Sequence, residues 1–213
     1  MPLKLSRLVY LMLVPSAALV AQRWEIAPTA SYVRPGHAPL GSLPDNSSNK
    51  DTDTKLKMGP GLGVRFTRNT RGYYGYEGTY LRTRNVLSAR ITPYTGNAVT
   101  REDTIYTDYI AFNALCYFMP VGEKWRPFIT AGMNMQRYGE PKFAEWTEGA
   151  SRNYGGNFGG GIKLMLMKNA LVRFDLRDYI GGKPYGLQFQ DEQKFGGGWM
   201  HTIEASVGIS IAF

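Results

Sequence analysis

Hydrophobic and polar positions alternate along eight stretches of this chain. The clearest is the last, where Ile203, Ala205, Val207, Ile209, Ile211 and Phe213 share one face. Thr202, Glu204, Ser206, Gly208, Ser210 and Ala212 share the other. A strand sends successive side chains to opposite faces, so this period predicts a strand with one oily and one small or polar face. The same pattern predicts strands over 24–33, 55–67, 73–84, 104–118, 126–136, 154–167, 171–179 and 199–213. In the second, Leu56, Met58, Pro60, Leu62, Val64 and Phe66 are read as outward, and Lys57, Gly59, Gly61, Gly63 and Arg65 as inward. Pro28 and Pro60 each remove a ladder donor inside a predicted strand, which a local bulge would absorb.

The connections alternate as regularly as the residues do. Long polar stretches (34–53, 85–103, 137–153, 180–198) take turns with short ones (68–72, 119–125, 168–170). An even number of strands, with tight turns at one end and long loops at the other, matches the plan of a membrane barrel. The less oily face also collects charge: Lys57, Arg65, Glu77, Lys163, Arg173, Asp175, Arg177 and Glu204. A soluble ligand-carrying barrel reverses this order, because unpaired charges in an apolar interior are costly. The expected fold is therefore all-β, an eight-stranded antiparallel up-and-down transmembrane β-barrel. Eight strands leave an interior barely wide enough for its side chains, which predicts a plug of Glu77, Asp175 and Glu204 against Arg65, Arg173, Arg177 and Lys163. Inward Gly59, Gly61, Gly63, Gly159, Gly161 and Gly208 would leave room for the long basic side chains. Trp24, Phe66, Tyr74 and Phe118 toward the short-turn end, and Tyr32, Tyr80 and Trp199 toward the loops, are expected to form aromatic girdles at the two headgroup interfaces.

The amino terminus adds a destination. Lys4 and Arg7 precede the apolar run 8–14, and Pro15 and several small residues follow. That order describes a secretory signal peptide over residues 1–21, cut after Ala18 or Ala21, with a barrel domain over 22–213. No later apolar run has the length of a membrane helix, so a spanning chain must close as a barrel. Roughly 190 mature residues suit one domain. A lone cysteine, Cys116, excludes an internal disulfide, and a closed ladder supplies stability in its place. The net charge of +8 loses two positive charges with Lys4 and Arg7. In an exported chain the basic balance points to anionic headgroups or surface sugars rather than nucleic acid. The 25 glycines and 14 tyrosines suit a β-rich membrane protein.

Three segments carry a resemblance. Residues 126–132 (RPFITAG) resemble the fifth strand, 172–179 (VRFDLRDY) the seventh strand, and 207–213 (VGISIAF) the terminal segment of the small eight-stranded outer-membrane β-barrel family typified by the OmpA transmembrane domain and OmpX. The similarity covers essentially the whole mature chain, and its motifs specify architecture rather than activity. It implies an outer-membrane location in a Gram-negative-type envelope. It also implies an assembly signal at Val207, Ile209, Ile211 and Phe213, read by the barrel-assembly machinery. No peptidoglycan-binding domain is expected after the barrel.

Chemistry is sparse. A lipid A-modifying barrel enzyme needs a histidine beside a serine and an acid, and only His37 and His201 are available. His37 falls in a polar loop with Ser42, Asp45 and Ser47. His201 has outward parity, whereas Glu204 three residues later has inward parity. Asp45, Asp51 and Asp53 lack EF-hand spacing, and one cysteine with two distant histidines does not make a metal centre. The glycines of 155–161 lack the Lys-Ser/Thr of a phosphate loop. The expectation is a non-enzymatic, monomeric barrel without cofactors. Its partners would be outer-membrane lipid, the assembly machinery and an extracellular partner met through four long loops. The alternative readings are a narrow channel for ions or small solutes, and the lipid A enzyme.

Overall fold

The computed structural model describes residues 24–36, 40–43, 49–70, 72–142, 146, 149–187 and 198–213. The leader, His37, Asp45 and Ser47 lie outside the described residues. Nine strands run through them: β1 (Trp24–Pro35), β2 (Asn49–Leu56), β3 (Gly59–Asn69), β4 (Tyr74–Pro93), β5 (Val99–Tyr117), β6 (Trp125–Tyr138), β7 (Ser151–Met167), β8 (Ala170–Gly182) and β9 (Trp199–Ala212). Eight of them close a ring. Strand β1 pairs antiparallel with β3 and with β9, and each of β3 to β8 pairs with its successor. Strand β2 lies outside the ring count, continuing the line of β3 along the upper half of β4. The seam between first and last strands carries reciprocal backbone bonds, Trp24 N to Phe213 O at 3.2 Å and Phe213 N to Trp24 O at 2.9 Å. Closure satisfies the ladder without leaving an edge, the condition for strands in hydrocarbon.

The break between β2 and β3 corrects the predicted second strand. Leu56 stands opposite Leu87 and Gly61 opposite Thr83, so the four residues 57–60 on one side face the three residues 84–86 on the other. This is a bulge, and Pro60 lies within it. An inserted residue flips side-chain parity. Leu56, expected outward, is therefore buried inside, and Lys57, expected inside, is exposed and 2.6 Å from Glu102 on the outer wall. Gly59 supports the bulge, because a Cβ there would lie 1.9 Å from the Arg84 carbonyl oxygen. Pro28 behaves differently. The β1–β9 ladder skips Ala27 and Pro28 but resumes in the same register, Ile26 with Ile211 and Thr29 with Gly208. One strand donor is lost there without a bulge.

The second long loop is also corrected. Residues 85–93 and 99–103 continue β4 and β5 as a paired ribbon, up to Ile91 opposite Val99, and only 94–98 form the tip. The polar composition of this stretch hid a strand pair with water on its outer face.

Around the ring, alternate residues face away from the barrel and are apolar. Leu62, Phe112 and Met133 expose 72%, 73% and 77% of their surface, an arrangement that suits lipid and not water. Along β5 and the residue that follows it, the outward run is Ile110, Phe112, Ala114, Cys116 and Phe118. At about 3.4 Å per residue and a tilt near 40°, it rises roughly 21 Å along the axis. The side chains at its two ends extend this toward the ~25 Å apolar band of outer-membrane barrels. Strands β4 and β5 are 20 and 19 residues long, about twice what a membrane crossing needs, and their excess lies on the loop side.

Candidate functional site

The central charge network of the barrel interior is built from the inward parity of four strands. Strand β8 supplies Arg173, Asp175 and Arg177 at every second position, β3 supplies Arg65, β4 Glu77 and β9 Glu204. All are buried. Arg65 reaches Asp175 at 2.9 Å and Glu204 at 2.8 Å. Arg173 binds Glu77 through Nη1 and Asp175 through Nε, both at 2.8 Å. Arg177 Nη2 lies 2.6 Å from Glu77 and 3.1 Å from Asp175. Each carboxylate thus accepts from at least one guanidinium, and Glu77 and Asp175 from more than one. Fork-shaped donors suit such sharing better than point charges do. Hydroxyls complete the shell: Ser31 Oγ and Tyr179 Oη donate to Glu204 at 2.8 and 2.9 Å, and Thr67 Oγ1 donates to Glu77 at 3.0 Å.

A second group lies toward the short-turn end. Lys163 of β7 is ion-paired with Glu25 of β1 and donates to Tyr117 Oη at 2.9 Å. Asn69 donates to the other oxygen of Glu25 at 2.6 Å. Arg126 stacks 3.7 Å above the centre of the Tyr117 ring, and its Nε donates to the Met119 carbonyl at 3.2 Å. Sequence parity places Glu25 on the polar face of β1, but only the fold brings it to Lys163. Lys163 stands directly opposite Arg173 in the β7–β8 ladder, a like-charge juxtaposition that is costly in isolation. It is relieved because the two side chains turn to different carboxylates. With Glu25 included, four mutually paired cations (Arg65, Lys163, Arg173, Arg177) meet four anions (Glu25, Glu77, Asp175, Glu204), and buried Arg126 is a fifth cation, held by the Tyr117 ring and the Met119 carbonyl rather than by a carboxylate. The glycines nearby serve the ladder as well as the side chains. A Cβ at Gly159 would meet the Leu176 carbonyl oxygen at 2.3 Å and Arg177 Cγ at 3.0 Å. At Gly59 and Gly63 the nearest obstacles are backbone oxygens of β4.

Above this network Tyr109 and Tyr179 pack with their rings tilted by 47° and centroids 5.1 Å apart, beside Val33, Leu81 and Ala111. Higher still, an apolar cluster fills the loop end. It joins Leu56, Leu87, Ala89, Ile105, Tyr138 and Met200 of the extended strands to Leu40, Leu43, Trp146, Tyr185 and Leu187 of the loops. The segment around Leu40 also covers the free edge of β2, with Leu40 N bonded to Thr54 O at 2.8 Å and Thr54 N to Gly41 O at 3.2 Å. No periodicity announces these loop residues. The only sequence trace of the cluster is Leu87, Ala89 and Ile91, which continue the alternation of β4 into what reads as a loop.

The remaining predicted residues lie on the outer wall. Tyr32, Phe66, Tyr74, Tyr80, Phe118, Trp199, Val207, Ile209, Ile211 and Phe213 are exposed, and Trp24 is half-buried, stacked 5.1 Å from Phe66. Trp199 lies beyond the pair formed by His201 and Asp178 (2.7 Å), toward the loops. His201 faces out and Glu204 faces in, so those two side chains do not share a site.

An apolar outer wall around a charged interior, with tight turns at the end where the termini meet, defines the class: an eight-stranded barrel of the outer membrane. Comparison of structures agrees. The outer membrane protein OprG of Pseudomonas aeruginosa superposes with a TM-score of 0.65 at 13% identity, over 91% of this chain and 96% of OprG. Neisserial surface protein A (NspA) gives 0.55 at 13% identity, over 89% and 97% of the two chains. The outer membrane protein AlkL gives 0.55 at 11% identity, over 91% and 90%. No protein-family model matches the chain, and no curated protein matches it in sequence. At these identities the fold is what is shared.

Proposed function

We propose that this chain is a non-enzymatic outer-membrane barrel whose interior is closed by its own charges. It serves the envelope as a stable structural element and offers its loop end to an extracellular partner. The observation that carries the reading is the set of four buried cations paired with four buried carboxylates across strands, with a fifth buried cation, Arg126, laid on the Tyr117 ring. A conducting pore needs hydrated charges with room around them, whereas these are desolvated and committed to one another. The apolar cluster above adds a second closure at the mouth. On this reading residues 1–21 are an export leader, the barrel is monomeric, and the tyrosines at the two edges of the apolar band hold its depth in the bilayer. The exposed Val207, Ile209, Ile211 and Phe213 form the signal read by the assembly machinery.

Planar-bilayer recording of the purified, refolded protein tests the closure. The expected result is insertion without discrete conductance steps. Steady open-channel steps from the unmodified protein would replace this reading with the narrow channel.

A further inference from the structure

The outer wall carries a second organised set of charges, apart from the interior network. The registers of β4 to β7 align Arg82, Asp108, Arg137 and Arg152 in one cross-strand row. Directly beneath, on the side of the short turns, the same registers align Tyr80, Ile110, Met135 and Tyr154. That lower row is the upper edge of the apolar band. With strands about 4.8 Å apart, the charged row runs roughly 14 Å around the barrel. It is not balanced. Asp108 accepts from Arg82 at 2.7 and 3.1 Å and from Tyr80 Oη at 2.9 Å, so its carboxylate is held on the β4 side.

Arg137 and Arg152 are left facing each other across the β6–β7 ladder, both exposed. Arg137 also stands opposite Asp108 in the β5–β6 ladder, within electrostatic reach of that carboxylate, but among the described residues neither Arg137 nor Arg152 makes a close ion pair with an acid. Like charges directly opposed destabilise a strand pair. A bridging anion reverses that sign, and two adjacent guanidinium forks are complementary to a phosphate. Their height decides the source of the phosphate, because a row standing on tyrosines at the edge of the apolar band lies at headgroup level.

We infer that Arg137 and Arg152 form a binding site on the outer wall for the phosphate of a phosphorylated lipid in the outer leaflet, whose acyl chain lies along Met135 and Tyr154. The site rests on the membrane placement of the barrel and is independent of whether the interior conducts.

Native mass spectrometry of the refolded barrel in a zwitterionic detergent tests it, with lipid A, its dephosphorylated form and inorganic phosphate as probes. Lipid A is expected to remain bound, and the double substitution Arg137→Gln with Arg152→Gln to weaken it by at least about tenfold, the scale of losing a charge-assisted contact. In detergent alone the double variant is expected to unfold at the same or a higher urea concentration, since one repulsion has gone. If that variant fails to fold, Arg137→Lys with Arg152→Lys keeps the charge and removes the fork, and weaker lipid binding is again expected. Undiminished binding by a folded variant, equal binding of the dephosphorylated lipid, or equal displacement by inorganic phosphate would each overturn the site. If the unmodified protein shows no folded barrel in detergent, the membrane setting fails, and the site fails with it.

Discussion

Arg173 holds Asp175 with one edge of its guanidinium and Glu77 with the other, and both partners are shared with Arg65 and Arg177. Sharing makes single losses expensive. Removing one carboxylate strands several buried cations, and breaking a buried pair from one side costs about 3–5 kcal/mol. Asp175→Ala should lower the unfolding free energy in lipid vesicles by about that amount, measured by urea titration. An effect below about 1 kcal/mol, the scale of an exposed pair, would show that the network contributes little. Much of this residue-level picture is legible in the sequence, because strand parity alone assigns Arg65, Glu77, Lys163, Arg173, Asp175, Arg177 and Glu204 to the polar face. Parity does not say which opposite charges meet. Glu25 has the right parity, yet its partner Lys163 lies 138 positions away in sequence and becomes a neighbour only through the closed ring.

At the scale of elements, the sequence marks the membrane-level strands well and their continuations poorly. Lipid imposes strict alternation, and that alternation fades once a strand rises into water. The ribbon of β4 and β5 therefore reads as a polar loop, and the bulge at Pro60 goes unseen because one extra residue leaves the composition unchanged while inverting parity. Joining Leu87 to Asp103, which stand opposite each other, through an Asn-Gly turn would shorten the ribbon with a connection favoured in hairpins. The shortened protein should insert and close its ring as the full chain does, since the removed residues, which pair with β2 and help pack the loop end, lie beyond the apolar band. Failure to insert would mean that the ribbon is part of the membrane-level structure. The last strand predicts the opposite sensitivity. Deleting Phe213, whose backbone closes the seam with Trp24, should reduce the outer-membrane yield in cells more than the ribbon deletion does. Normal yield without Phe213 would count against its role as an assembly signal.

For the whole molecule, the order of polarity is inverted relative to a water-soluble protein: apolar outside, charged within. The loop end restores the usual order, with an apolar cluster of strand and loop residues inside a polar exterior. The polar–apolar reversal follows from the sequence pattern. The cluster does not, because Leu40, Leu43, Trp146, Tyr185 and Leu187 come from aperiodic stretches that only tertiary structure gathers. The most direct test of the inverted order is gel migration of the detergent-extracted membrane fraction, with and without boiling. A closed barrel stays folded in detergent at room temperature and unfolds only when heated, so the account predicts two distinct mobilities for one chain, both recovered from the outer-membrane fraction. A single mobility regardless of heating, or a protein that stays in the aqueous fraction without detergent, would contradict it.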